Sequence, residues 1–130
     1  MRIVICLVGL MLPLCFASLA SGVDYLTQIK PILEEKCYSC HGVLKQEGDL
    51  RLETLPLMLE SGVIDPGDAD ASLLIERIVA EPDDRMPPAE DGAALKPDEI
   101  ALLRDWINEG AITPEEEIPV GPELHWAFQK

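Results

Sequence analysis

Residues 37–41 read Cys37-Tyr38-Ser39-Cys40-His41, or CYSCH, and they decide how the rest of the chain is read. They gather two of the chain's four cysteines and one of its two histidines. Four chemistries use thiols spaced this way. Both can add to the vinyl groups of one haem, with the next histidine under the iron; they can also share a structural zinc ion, work as a thioredoxin-like redox pair, or form a disulfide. A zinc site usually needs four side-chain ligands, and beyond the motif the mature chain offers only His125. A redox pair wants a preceding strand and a βαβ setting, and neither pattern is visible. The residues therefore favour haem, with Cys37 and Cys40 in thioether bonds and His41 as the proximal ligand, while the other three readings stay open.

The N-terminus supports an oxidising destination. Arg2 precedes an apolar run from Ile3 to Ala17, and small residues Ser18 and Ala20 follow, the pattern of an export signal over residues 1–20. The competing reading is an uncleaved anchor, because the segment approaches the roughly 17–25 residues that span a bilayer. Cleavage would remove Cys6 and Cys15 and leave a periplasmic or otherwise extracytoplasmic protein with no stable membrane binding expected. In such a compartment the remaining thiol pair needs a covalent or metal partner to escape idle oxidation.

Charge and size narrow the class further. Ten Lys and Arg stand against 24 Asp and Glu, a formal charge of −14, which argues against nucleic acid and favours a protein partner with a basic surface. The mature chain is one small domain, near the size at which a protein-only core is marginal, so a bound cofactor would add apolar surface.

Helical spacing appears in four places. Residues 24–36 carry Leu26, Ile29, Ile32 and Leu33 on one face, with Asp24 as N-cap and Pro31 set to kink or divide the helix. A short helix is expected near Leu55 to Glu60, and another over Ser72 to Ala80, closed by Pro82. Pro97 opens the strongest one, with Asp98 and Glu99 in its first turn and Gly110 as its stop. Its stripe of Ile100, Leu103, Trp106 and Ile107 needs a partner, and the helix before CYSCH is the obvious one. Between these lie long loops rich in Gly and Pro. The fold class is all-α, with three to four helices and long loops able to wrap a ligand. Residues 21–112 form the domain, and residues 113–130 read as a linker and the start of a further region.

A second axial ligand can be sought among Met58, Met86 and His125. Met58 sits among leucines at helical spacing, the pattern of a packing residue. His125 lies in the tail beyond the last helix. Met86 sits in the polar loop DDRMPPAED, where Pro87 and Pro88 stiffen the backbone and no apolar stripe claims its side chain. Met86 is the favoured ligand of the three.

IKPILEEKCYSCHG, GDLRLE, GVIDPGDADASLLIERI, RMPP and LKPDEIALLRDWINEGA, in this order, resemble a class I cytochrome c domain of the planctomycete type, found at the head of larger exported proteins. The resemblance runs from about Asp24 to Ile112. It implies the cytochrome c fold, with first and last helices crossing beside one covalently attached haem c per chain. It also implies Cys37 and Cys40 as attachment points and His41 and Met86 as axial ligands. Two departures stand out: Asp49 where a second glycine is expected, and Lys96 where Ser or Thr usually caps the last helix. The tail PELHWAFQK resembles the stretch that leads into larger domains in this family.

The function expected is electron transfer, not catalysis, with Arg51 and Arg77 as candidate contacts for the haem propionates. A haem-based sensor of diatomic ligands and a peroxidase-like site are the alternatives. The latter would want a distal acid-base group, which RMPP supplies only as Arg85.

Overall fold

The computed structural model describes residues 22–114, and the segment read as an export signal, most of the tail and His125 lie outside them. Among the described residues there are four α-helices: α1 (Lys30–Lys36), α2 (Leu55–Glu60), α3 (Leu73–Ile78) and α4 (Pro97–Asn108). No strand occurs among these residues, and the one extended pairing is an isolated bridge between His41 and Gln46. The all-α, long-loop architecture is the one the sequence predicts.

The first helix is divided at Pro31, as expected, but the division takes a specific form. Tyr25–Ile29 winds as a π-helical turn before α1 begins. Proline has no N–H to return to the preceding turn and its ring crowds that turn's carbonyl, so a wider turn ahead of it relieves both conflicts. Asp24 caps the start, its Oδ1 accepting from the Thr27 amide at 2.8 Å and from the Thr27 hydroxyl at 2.7 Å.

The segment from Ser72 to Ala80 forms a shorter helix than its spacing predicts, ending at Ile78 before Pro82 is reached. Ser72 does not cap it by a side-chain bond. Its hydroxyl donates to the Asp68 carbonyl at 2.8 Å and accepts from the Asp65 amide at 2.9 Å, so it organises the preceding turn instead.

At the start of α4, Lys96 cannot accept a bond from the helix amides, since an ammonium has no lone pair. Half of the capping box survives: Glu99 accepts from the Lys96 amide at 2.7 Å. The other end closes with Gly110 at φ 101° donating to Ile107 and Ala111 donating to Trp106, both at 2.9 Å, a Schellman arrangement.

The core joins the first and last helical segments. Ile29, Leu33, Leu103, Trp106 and Ile107 are all buried, and side chains of this size contribute about 1.5–3 kcal/mol each on burial. The Tyr25 and Trp106 rings stack at 5.5 Å between centroids, and the Val23 amide donates to Glu109 at 2.7 Å. This clamp fixes the direction in which α1 delivers the chain to Cys37. Met58 and Ile75 complete the core from α2 and α3, so Met58 is a packing residue.

Candidate functional site

The chain leaves α1 directly into the motif. Cys37 donates its amide to Leu33 at 2.9 Å, and both Cys40 and His41 then return their amides to the Cys37 carbonyl, at 3.1 and 2.9 Å. CYSCH is thus one tight turn added to a helix end, and its side chains fan out from a common carbonyl. Gly42 is required by this turn. A Cβ there would fall on the Tyr38 carbonyl oxygen, inside contact distance.

Two loop contacts hold the turn from outside. His41 accepts from the Leu52 amide at 2.9 Å through its carbonyl, and Cys40 accepts from the Glu47 amide at 3.0 Å. Glu53 receives the Val43 amide and the Arg51 guanidinium, both at 2.6 Å. The glycine expected at position 49 is explained by the backbone: Gly48 and Asp49 both adopt left-handed conformations, at φ 65° and 55°. Aspartate is among the few non-glycine residues that tolerate this region.

Cys37, Cys40, His41 and Met86 all line one cavity of about 590 Å³. That volume falls within the roughly 300–1,000 Å³ of small-molecule and cofactor sites. Leu50, Leu52, Val63, Leu74 and Ile78 supply much of its apolar wall, while Glu35, Lys36, Glu47, Arg77 and Asp91 supply its charged groups. Residues separated by nearly fifty positions in sequence are therefore brought to one lining.

A buried polar atom without a partner tests whether the residues suit a metal-bearing ring. His41 Nδ1 is buried and makes no hydrogen bond. Such an atom is unfavourable by about 1–3 kcal/mol unless a ligand or rearrangement satisfies it. An imidazole short of a partner, two unpaired cysteines and an apolar cavity fit a covalently attached haem. The competing readings fit less well. Cys37 and Cys40 are free thiols. Burial, reinforced by Cys40 and opposed by Lys36, pushes the Cys37 thiol up to about 12, the reverse of an activated redox thiol. Among the described residues no cluster of three His, Cys, Asp or Glu side chains forms a bare metal site, which is what zinc would need.

Met86 lies at the other end of the cavity's sequence. Its amide donates to the Arg77 carbonyl at 2.9 Å, its side chain is 40 % exposed, and the Met86–Pro87 bond is cis. Of the two arginines considered for the propionates, Arg77 is exposed and lines the cavity. Arg51 is outside the lining, and its guanidinium pairs with Glu53 at 2.6 Å. Arg85, the candidate distal group of a peroxidase-like site, is also outside the lining. It donates to the carbonyls of Pro87 at 2.7 Å and Gly92 at 3.1 Å.

Comparison with known proteins follows these positions closely. The sequence model of the family described as Planctomycete cytochrome C matches residues 37–90, a stretch that begins at Cys37 and includes His41 and Met86. Residues 37–90 are thus similar to a planctomycete-type cytochrome c over 54 of the chain's 130 residues. The helices that clamp the site, α1 and α4, lie outside the matched stretch. No curated protein and no solved structure gives a significant match to the chain.

Sequence reasoning did not single out Gly42, Glu53 or Arg85 as supports of the site. Arg85 carried the one available signal, its position directly before Met86. Glu53 carried none, because its partners are backbone and side-chain groups that meet it only after folding.

Proposed function

We propose that the protein is an electron carrier with one covalently attached haem c, held by Cys37 and Cys40, with His41 as proximal ligand and Met86 as distal ligand. The observation that carries this reading is that all four residues line one apolar-walled cavity. When bound, the haem supplies a one-electron couple between ferrous and ferric iron. The chain supplies the rest. His41 offers an imidazole nitrogen and Met86 a neutral thioether, while Leu52, Val63 and Leu74 keep the surroundings apolar. Methionine ligation favours the ferrous state relative to a second histidine, so the potential should be comparatively high. Arg77 is the arginine whose position supports a propionate contact.

If His41 and Met86 both hold the iron, a bound haem would offer no coordination place to a substrate. A basic redox protein is the partner that the net charge of −14 supports. Export is supported by the N-terminal pattern, and no helix among the described residues is long and apolar enough to cross a membrane. The resemblance of the tail supports a redox module carried at the head of a larger exported protein.

A diatomic-ligand sensor is the second reading, favoured by the 40 % exposure of Met86. Spectra of the haem-loaded protein separate the two. The carrier has six-coordinate low-spin iron, a sulfur-to-iron charge-transfer band in the ferric state, and ferrous iron that ignores carbon monoxide. High-spin iron or ready binding of carbon monoxide would replace the carrier with the sensor.

A further inference from the structure

The loop that bears Met86 is the least supported part of the cavity lining, since it contributes no residue to the buried core. Its sequence, EPDDRMPPAED, spans residues 81–91 and carries five carboxylates and one cation, Arg85. On so acidic a loop an arginine would be expected to pair with a carboxylate. Among the described residues none lies within ion-pair distance of it. Both of its hydrogen bonds go instead to backbone carbonyls, at Pro87 and at Gly92.

These two acceptors have a meaning in the loop. Pro87 is the residue directly after Met86, and Gly92 is where the loop turns away, so one planar group ties the near side to the far side. Backbone bonds close the turn between them, with Asp91 and Gly92 both donating to the Pro88 carbonyl, at 3.1 and 3.0 Å. Gly92 also packs closely, since a Cβ there would approach the Pro87 ring at 3.2 Å. A guanidinium can serve two carbonyls at once because its donors lie in a rigid fork; an ammonium is a single point.

We propose that Arg85 is a positioning residue for Met86: its fork across Pro87 and Gly92 holds the loop closed, so that the thioether stays directed to the cavity. This rests on the reading of Met86 as the distal ligand. Arg85 itself does not touch the iron. Without the fork, the loop opens more often, and the sixth coordination position is exposed in proportion to the open fraction. An external ligand that binds only the open form then gains apparent affinity by the same factor.

Titration of the ferric haem-loaded protein with imidazole reads that factor. Arg85→Gln should bind imidazole about tenfold more tightly than the parent, the loss of two charge-assisted bonds being ample for a shift of that size. Arg85→Lys should recover only part of the difference. Arg104→Gln on α4, which removes a surface pair with Asp70, should leave imidazole affinity unchanged even where it lowers thermal stability. Met86→Ala should show the tightest imidazole binding and no sulfur band.

If Met86→Ala behaves this way while Arg85→Gln and Arg85→Lys both match the parent within twofold, the clamp is overturned and the ligand assignment stands. If Met86→Ala itself leaves the band and the affinity unchanged, the assignment falls and the clamp with it. Should Arg85→Gln not fold, Arg85→Lys decides alone: full parental affinity overturns the proposal, and an intermediate value supports it.

Discussion

The Met86 amide donates to the carbonyl of Arg77 at 2.9 Å, tying the loop to the last turn of α3. Carbonyls at the end of a helix have no partner within it, and this one is used to fix the height at which the loop crosses the cavity. Met86 and Arg77 thereby arrive together at the same lining. One backbone bond couples the proposed axial ligand to the proposed propionate contact.

The two methionines should separate cleanly. Met58 is fully buried in the core, so Met58→Ala should destabilise the haem-loaded protein by about 2–5 kcal/mol and leave the iron spectrum unchanged. Met86→Ala should do the opposite, removing the sulfur band and lowering the potential at a smaller stability change. Denaturant unfolding monitored with the visible spectrum checks both.

Gly42 should not tolerate a side chain. In Gly42→Ala the new methyl meets the Tyr38 carbonyl, and the turn must open to admit it. Overpacking of this kind typically costs about 1–3 kcal/mol. Because the displaced atoms belong to CYSCH, the yield of haem-loaded protein should fall along with its unfolding midpoint. A variant with parental yield and midpoint would contradict the tight turn.

Much of this was legible in the sequence because it is local. The apolar spacing, Asp24, Pro97 and Gly110 mark helix boundaries through effects that act within one turn, and α2 runs over the residues its pattern predicts. The π-helical turn at Tyr25–Ile29 was not legible, since Pro31 allows either a kink or a division and the choice depends on packing against Trp106. Asp49 read as a departure from the family pattern until its left-handed backbone explained the glycine. Glu53 escaped for a different reason, and so did the backbone contacts of Arg85, which the sequence offered only as a distal group. Each serves backbone groups brought near by the loops, and no periodicity records such partners.

Acid should weaken the N-terminal cap. Hydrogen bonds from the Thr27 hydroxyl and amide hold the Asp24 carboxyl below its usual range. A carboxyl lowered in the folded state stabilises fully above its unfolded value and loses that contribution as pH falls through the folded one. Thermal midpoints should therefore decline below about pH 4, and Asp24→Ala should show a shallower decline over that window. An identical acid limb in both proteins would remove Asp24 from the account.

Electron exchange with a basic redox protein should slow as salt is added. At 0.1 M ionic strength charges more than about 10 Å apart are largely screened, so the steering from a net charge of −14 should fade across the range of tens to hundreds of millimolar. Stopped-flow rates at several salt concentrations test this. A rate indifferent to salt, or faster exchange with an acidic protein, would count against a basic partner.

The most direct measurement is a haem stain after denaturing electrophoresis of protein matured in a host that exports and attaches haem. Thioether bonds at Cys37 and Cys40 survive denaturation, so the band at the chain's mass should stain, and Cys37→Ala with Cys40→Ala together should leave it colourless. A parent band that loses its haem on denaturation, or that carries zinc in place of iron, would contradict the account at its centre.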